Sequence, residues 1–181
     1  MNGCELIVGV TGGIAAYKTA ALVSRLVQAG AGVSVVMTAA ATRFVGPTTF
    51  RALTGRPVGT SVFDQPETPL GSHIQLAEKA ALLCVAPATA NFLAKAAHGI
   101  ADDLLSTLYL SFAGPILVAP AMNTVMWDKP SVQRNVQQIR ADGARIIDPG
   151  EGWLSCRTRG PGRMADPDVI FEAIRGTLSG P

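Results

Sequence analysis

Short runs that are apolar at nearly every position alternate along this chain with longer stretches of helix-forming residues. The apolar runs are Leu6 to Val10, Val33 to Met37, Ala81 to Ala86, Pro115 to Ala119 and Ala144 to Ile147. A strand without polar alternation has both faces buried, which is the pattern of a parallel sheet covered by helices on each side. The first run breaks at Thr11-Gly12-Gly13 and gives way to helix formers from Ile14 to Gln28, so strand, tight turn and helix follow one another. Repetition of that unit predicts an α/β fold, a three-layer doubly wound parallel sheet of Rossmann-like type, as one domain over residues 1–181. The Pro- and Gly-rich stretch from Asp148 to Pro167 has no periodic pattern and reads as an irregular lid, a flap at about 149–165.

In such a sheet, ligands sit outside the carboxyl ends of the strands. The residues to inspect are therefore Thr11 to Ile14, Thr38 to Ala41, Pro87 to Asn91 and Pro120 to Asn123. Gly12 and Gly13 let the backbone approach a ligand, and the helix that follows offers unpaired N–H groups to a phosphate. The spacing is not Gly-x-Gly-x-x-Gly, and the second strand ends in Thr38-Ala39-Ala40 without an acid to hold a ribose hydroxyl. Both features favour a mononucleotide over a dinucleotide. Thr89 and Asn91 stand where a helix begins, and either is explained equally well as a plain N-cap. Asp102-Asp103 resembles a carboxylate pair, but its position before an apolar helical run makes it a helix cap.

Composition narrows the function classes. A chain of 181 residues, 48% hydrophobic and 15% charged, can bury a core without disulfides or structural metal. The net charge is only +2 and the basic residues are scattered, so the footprint of a nucleic-acid binder is missing. Cys4, Cys84 and Cys156 are odd in number and lie far apart, which points to a reducing, cytoplasmic setting and not to a cysteine zinc site. No apolar stretch reaches the length of a membrane span. High hydrophobicity with little charge also predicts apolar surface that contacts between copies of the chain would cover.

Few residues offer reactive groups. Of the two histidines, His98 lies near a helix C-terminus, where an imidazole serves structure. His73 opens a helical segment after a polar loop, a position suited either to solvent exposure or to proton transfer. The Asn123 amide follows the Pro120-Ala121 corner and can donate to a carboxylate. Cys156 has Arg157, Arg159 and Arg163 nearby in sequence, and cationic neighbours lower a thiol pKa. No catalytic triad order, phosphate loop or His-x-x-x-His spacing is present.

With these residues in view, the chain resembles the flavin-containing cysteine decarboxylases over nearly its whole length. The matching pieces, in order, are Gly9 to Lys18, Ser72 to Leu76, Ala86 to Asn91, Gly99 to Thr107, Ala119 to Asn123 with Met126-Trp127, and Cys156 to Met164 running on to Pro167. The resemblance implies a Rossmann-like flavoprotein holding FMN, with Gly12, Gly13, Ile14, Thr38, Thr89, Ala90, Asn91, Ser106 and Ala121 at the cofactor positions. It implies decarboxylation of 4′-phosphopantothenoylcysteine to 4′-phosphopantetheine in coenzyme A biosynthesis. In that chemistry the flavin oxidises the carbon bearing the thiol, carbon dioxide leaves, and the hydride is returned. His73 corresponds to the active-site base, Cys156 to the proton donor of the final reduction, Asn123 to the group binding the substrate carboxylate and Met126 to a substrate contact. Active sites between subunits of a homotrimer, or of a dodecamer of trimers, are implied as well.

Two alternatives share the fold. One is oxidative decarboxylation of a peptide C-terminal cysteine, as in lantibiotic maturation, which needs no reducing thiol. The other is a flavin-binding regulatory subunit without turnover. The chain departs from the family pattern in three places. Arg157 stands where the flap has Gly, which would strain the backbone if that position requires φ > 0. Phe92 replaces a hydroxyl residue after Asn91, and the synthase domain fused to many bacterial members is not expected to follow Pro181.

Overall fold

The computed structural model describes residues 1–62, 72–153, 157 and 159–180, with the backbone alone at 72 and 73. The strands are β1 (Glu5–Val10), β2 (Gly32–Met37), β3 (Val58–Gly59), β4 (Leu82–Ala88), β5 (Ile116–Pro120), β6 (Arg145–Ile146), β7 (Gly150–Trp153) and β8 (Arg159–Arg163). The helices are α1 (Ala16–Gln28), α2 (Pro47–Thr54), α3 (Ser72–Lys79), α4 (Ala90–His98), α5 (Leu104–Ser111), α6 (Thr124–Trp127), α7 (Pro130–Ala141) and α8 (Pro167–Ser179).

The first six strands form one sheet in the order β3-β2-β1-β4-β5-β6, and every pairing in it is parallel. Winding runs outward from β1 to β3, then returns to β4 and runs the other way. The reversal between β1 and β4 creates a crevice at the carboxyl edge of the sheet, the place where such folds bind ligands.

The apolar runs predicted as strands occupy the centre of this sheet because both of their faces are covered. Along β1, Leu6, Val8 and Val10 point into one core layer while Ile7 points into the other. On β4, Leu82, Cys84 and Ala86 join the first layer, and Leu83 and Val85 join the second. Helices α1 and α8 cover the first face, with Leu22, Leu26, Ile170 and Ile174 fully buried. Helices α4, α5 and α7 cover the second through Leu93, Leu105 and Ile139. Cys84 is entirely buried, and burial pushes its thiol up to about 12, so it is a packing residue without nucleophilic character.

Two elements differ from the sequence expectation. The stretch read as an irregular lid contains an antiparallel hairpin, β7 with β8. Its paired segments, Gly150–Trp153 and Arg159–Arg163, lack the β-branched residues that mark strands, and their pairing comes from backbone hydrogen bonds between glycine-rich segments. The short edge strand β3 was also not anticipated. It pairs two residues with Val35 and Val36, too short a run to show a pattern.

Candidate active site

The turn after β1 is built around Thr11, which is 1% exposed. Its hydroxyl donates to the Pro87 carbonyl at 2.7 Å and accepts the Thr89 backbone N–H at 3.0 Å. One side chain thus ties the β1–α1 turn to the β4–α4 turn across the crevice. Gly12 has no room for a side chain, since a Cβ there would lie 2.4 Å from the Ala40 Cβ and 3.0 Å from the Ala40 backbone. The turn therefore packs directly on the segment that follows β2. Helix α1 begins without a side-chain cap at Ala15, and the N–H groups of Ala16, Tyr17 and Lys18 donate to the carbonyls of Gly13, Ile14 and Ala15 in the turn itself, with the positive end of the helix dipole at the crevice.

The third wall is the β5–α6 corner. Asn123 is the N-cap of α6, and its Oδ1 accepts the Met126 N–H at 3.0 Å. That bond fixes the orientation of the amide, with the carbonyl facing the helix and the NH₂ group turned away from it. The hairpin docks on the same corner. Met122 N–H donates to the Gly162 carbonyl at 2.9 Å, and the Thr124 hydroxyl donates to the Pro161 carbonyl at 2.7 Å. Gly162 holds a φ of 111°, and a Cβ there would stand 2.4 Å from the Met122 carbonyl oxygen. Only glycine permits both the conformation and the approach.

Between these walls lies a cavity of about 650 Å³. Ile14, Ala90, Ala121, Met122, Met126 and Trp153 make it largely apolar, and Gly12, Gly13, Thr89 and Asn123 add polar or close-approach positions. Its size and lining suit a flat ring system with a small substrate beside it. A smaller cavity of about 170 Å³ lies at the opposite end of the sheet, between Glu5, Arg56 and the α3 residues Gln75 and Lys79.

Of the residues anticipated for the cofactor and substrate, Gly12, Gly13, Ile14, Thr89, Ala90, Ala121, Asn123 and Met126 come together on the cavity wall. Thr38, Asn91 and Ser106 are not among the residues that line it. The Thr38 hydroxyl accepts the Ala41 N–H at 3.3 Å, capping the turn after β2, and Asn91 is exposed in the first turn of α4. Ser106 is 2% exposed and forms a capping box with Asp103, whose carboxylate accepts the Ser106 N–H at 2.8 Å. Asp103 is thus the expected helix cap. Thr89 is an N-cap too, accepting from Phe92 N–H at 3.4 Å while it lines the cavity. The His98 ring bonds the Ala94 carbonyl at the end of α4, a structural role.

His73 is the second residue of α3, and its side chain lies outside the described residues, as does Cys156. No described residue of α3 lines the larger cavity. Arg157 is described and has a φ of 64°, so the flap position where the family has Gly does adopt the left-handed conformation. The charged groups on the cavity wall were not anticipated as site residues. Lys18 was seen only as part of a motif, and Arg163 only as a neighbour of the thiol in sequence.

The Flavoprotein family model matches residues 1–179. The chain belongs to the flavoprotein family. It is 48% identical over 172 residues to the coenzyme A biosynthesis bifunctional protein CoaBC of Bacillus subtilis, a match covering 95% of this chain and 42% of that protein. To CoaBC of Mycolicibacterium smegmatis it is 45% identical over 166 residues, covering 92% and 40% respectively. The chain therefore spans less than half the length of these curated relatives. Among solved structures, the FMN-dependent cysteine decarboxylase SpaF superposes with a TM-score of 0.87 at 40% identity, covering 98% of this chain and 96% of that one. A PPC decarboxylase variant complexed with pantothenoylaminoethenethiol superposes with a TM-score of 0.88 at 27% identity, covering 98% and 99%.

Proposed function

We propose that this chain binds FMN and decarboxylates 4′-phosphopantothenoylcysteine to 4′-phosphopantetheine, a step of coenzyme A biosynthesis in the cytoplasm. The observation that carries the reading is the cavity at the topological switch point, where the start of α1, the Thr89 turn, the Asn123 amide and the hairpin root meet. The similarity to CoaBC proteins over 95% of the chain supports the substrate, and the similarity to SpaF supports FMN.

The residues fit that cofactor. Gly13 is open toward the cavity, where an added Cβ would meet only the Thr89 methyl at 3.6 Å, and the positive end of the α1 dipole behind this turn suits a phosphate. When bound, FMN supplies reversible hydride acceptance from the carbon bearing the substrate thiol. The protein's part is positioning. Asn123 presents its amide donors to the substrate carboxylate, and Met126 and Trp153 give the chain of the substrate an apolar wall. His73 acts as the base and Cys156 returns a proton, the roles that family resemblance gives them. We place His73 in the site of a neighbouring copy within a homotrimer or a dodecamer of trimers. The position of α3 away from the cavity wall supports that arrangement. The β7–β8 hairpin is the flap that shields the reacting atoms from water.

The test is mass-spectrometric analysis of product after the purified, flavin-loaded protein meets 4′-phosphopantothenoylcysteine. Loss of carbon dioxide alone supports the complete reaction. Loss of carbon dioxide with two further hydrogens would mean that the oxidised product is released, as for the peptide-directed enzymes. An unchanged substrate would defeat the proposal.

A further inference from the structure

Among the described residues lining the large cavity, only Lys18 and Arg163 carry charge, and both are cations. They come from different elements, the first turn of α1 and the last residue of β8. Both bond one carboxylate oxygen: Lys18 Nζ donates to Asp166 Oδ1 at 3.2 Å, and Arg163 Nη2 donates to the same atom at 3.0 Å. Two cations share one anion, so one positive charge remains in excess at the wall of an otherwise apolar chamber. The Lys18 side chain is only 13% exposed, against 40% for Arg163. Low exposure reduces solvent screening and strengthens any anion contact made there.

The surroundings hold this pair in place. Asp166 precedes α8 as its N-cap residue, and α8 is bound to α1 by the Arg25 ion pairs with Asp168 and Glu172. The Arg25 guanidinium also stacks over Phe171 at 4.3 Å. On the hairpin, Gly152 leaves space that the Arg163 side chain fills. A Cβ at Gly152 would lie 3.0 Å from Nη1 and 3.3 Å from Cδ of Arg163.

We propose that Lys18 and Arg163, set side by side on Asp166, recognise the phosphate monoester of the substrate and determine the preference for phosphorylated over unphosphorylated acyl-cysteine. This inference rests on the decarboxylase reading above. A phosphate is dianionic and does not react, so binding it tightly costs nothing in the chemical step. The carboxylate is different, because its charge disappears as carbon dioxide leaves. A cation on that group would stabilise the ground state more than the transition state and slow the reaction. The uncharged amide of Asn123 suits the carboxylate, and the two cations suit the distant phosphate. The FMN phosphate has the Gly12-Gly13 turn, at the positive end of the α1 dipole, as its own anion site.

The experiment uses the flavin-loaded protein and its Arg163→Met, Lys18→Met and Arg163→Lys variants. Two readouts are compared: kcat/KM for 4′-phosphopantothenoylcysteine against pantothenoylcysteine, and calorimetric affinity for 4′-phosphopantothenate against pantothenate. The expected result is a preference ratio roughly tenfold or more lower in either methionine variant, the scale of a lost charge-assisted hydrogen bond. Arg163→Lys should retain part of the preference. If Lys18→Met fails to fold, the more exposed Arg163 carries the test alone. An unchanged ratio in Arg163→Met would overturn the assignment. It would also be overturned if the variants lost FMN while binding riboflavin normally, because the cations would then serve the cofactor's phosphate. A wild-type protein that prefers phosphopantothenate in calorimetry but decarboxylates neither substrate would support this subsite while defeating the reaction proposed above.

Discussion

Thr11 and Thr89 are joined across the crevice by a hydrogen bond 78 residues apart in sequence, from the Thr89 backbone N–H to the Thr11 hydroxyl at 3.0 Å. The same hydroxyl donates to the Pro87 carbonyl, so it holds the two turns that frame the proposed flavin site. Replacing Thr11 with Val keeps the shape and removes the hydroxyl, leaving the half-buried Thr89 N–H without its acceptor. The expected cost is about 1–3 kcal/mol, or a fall in Tm of about 2–4 °C for each kcal/mol in a chain of this size. Thr11→Ser should recover most of it. Thermal denaturation with flavin content measured in parallel checks both points, and equal stability of Val and Ser variants would remove the hydroxyl from the account.

Asn123 has two duties that substitutions can separate. Its Oδ1 caps α6, and its NH₂ group is the proposed carboxylate donor. Asn123→Asp keeps the cap acceptor, so thermal stability should stay close to that of the parent. It also places a negative charge against the substrate carboxylate, and turnover should fall roughly a hundredfold or more. Asn123→Ala should lose activity and also about 1 kcal/mol of cap stability. Parallel melting and rate measurements decide, and a well-folded Asn123→Asp protein with normal turnover would contradict the donor role.

The central strands were legible because burial on both faces leaves runs such as Leu82 to Ala86 with no polar interruption. The strand-end rule then directed attention to Gly12, Thr89, Ala121 and Asn123, which do meet on one wall. What escaped were contacts between elements distant in the chain. Thr11 reads locally as a turn residue, and nothing near it in sequence announces Pro87 or Thr89 as partners. Lys18 and Arg163 are separated by most of the chain and meet only through Asp166. Ser106, a hydroxyl that a family motif suggests as a ligand contact, also bonds its own neighbours Asp102 and Asp103 at the start of a helix, a capping role that its local sequence makes readable. The hairpin was missed because Gly150 to Trp153 and Arg159 to Arg163 contain no β-branched residue.

The Asp103 cluster predicts acid sensitivity. Burial pushes the Asp103 carboxyl upward, but hydrogen bonds from Lys95 and from the backbone and side chain of Ser106 outweigh it and hold the group below the ordinary carboxylate range. A depressed folded pKa means that the ionised form is favoured by folding. Its stabilisation is complete above the unfolded value of about 3.9 and is lost as pH falls through the lower folded value. Glu5 behaves in the same direction, chiefly through its hydrogen bond from Arg56. Asp103→Asn should therefore melt below the wild type at pH 7, with the gap closing below about pH 4. A gap that stays constant across that window would show that the charge on Asp103 contributes nothing to stability.

Arg157 gives the last test, because it holds a left-handed φ of 64° in the flap while, among the described residues, the others with positive φ are all glycine. For an L-residue with a Cβ this conformation costs about 1–2 kcal/mol. Glycine would remove the strain, although it makes the unfolded chain more flexible, which offsets about 0.4–1 kcal/mol. The net expectation for Arg157→Gly is a hairpin more stable by up to about 1 kcal/mol. Arg157→Ala removes the charge but keeps the Cβ, so it should gain nothing. Hydrogen exchange of the β7 and β8 amides reads the difference locally, and Arg157→Gly should slow exchange there and not in β1 or β4. If Gly and Ala variants exchange alike, backbone strain at this position is not what sets the stability of the flap.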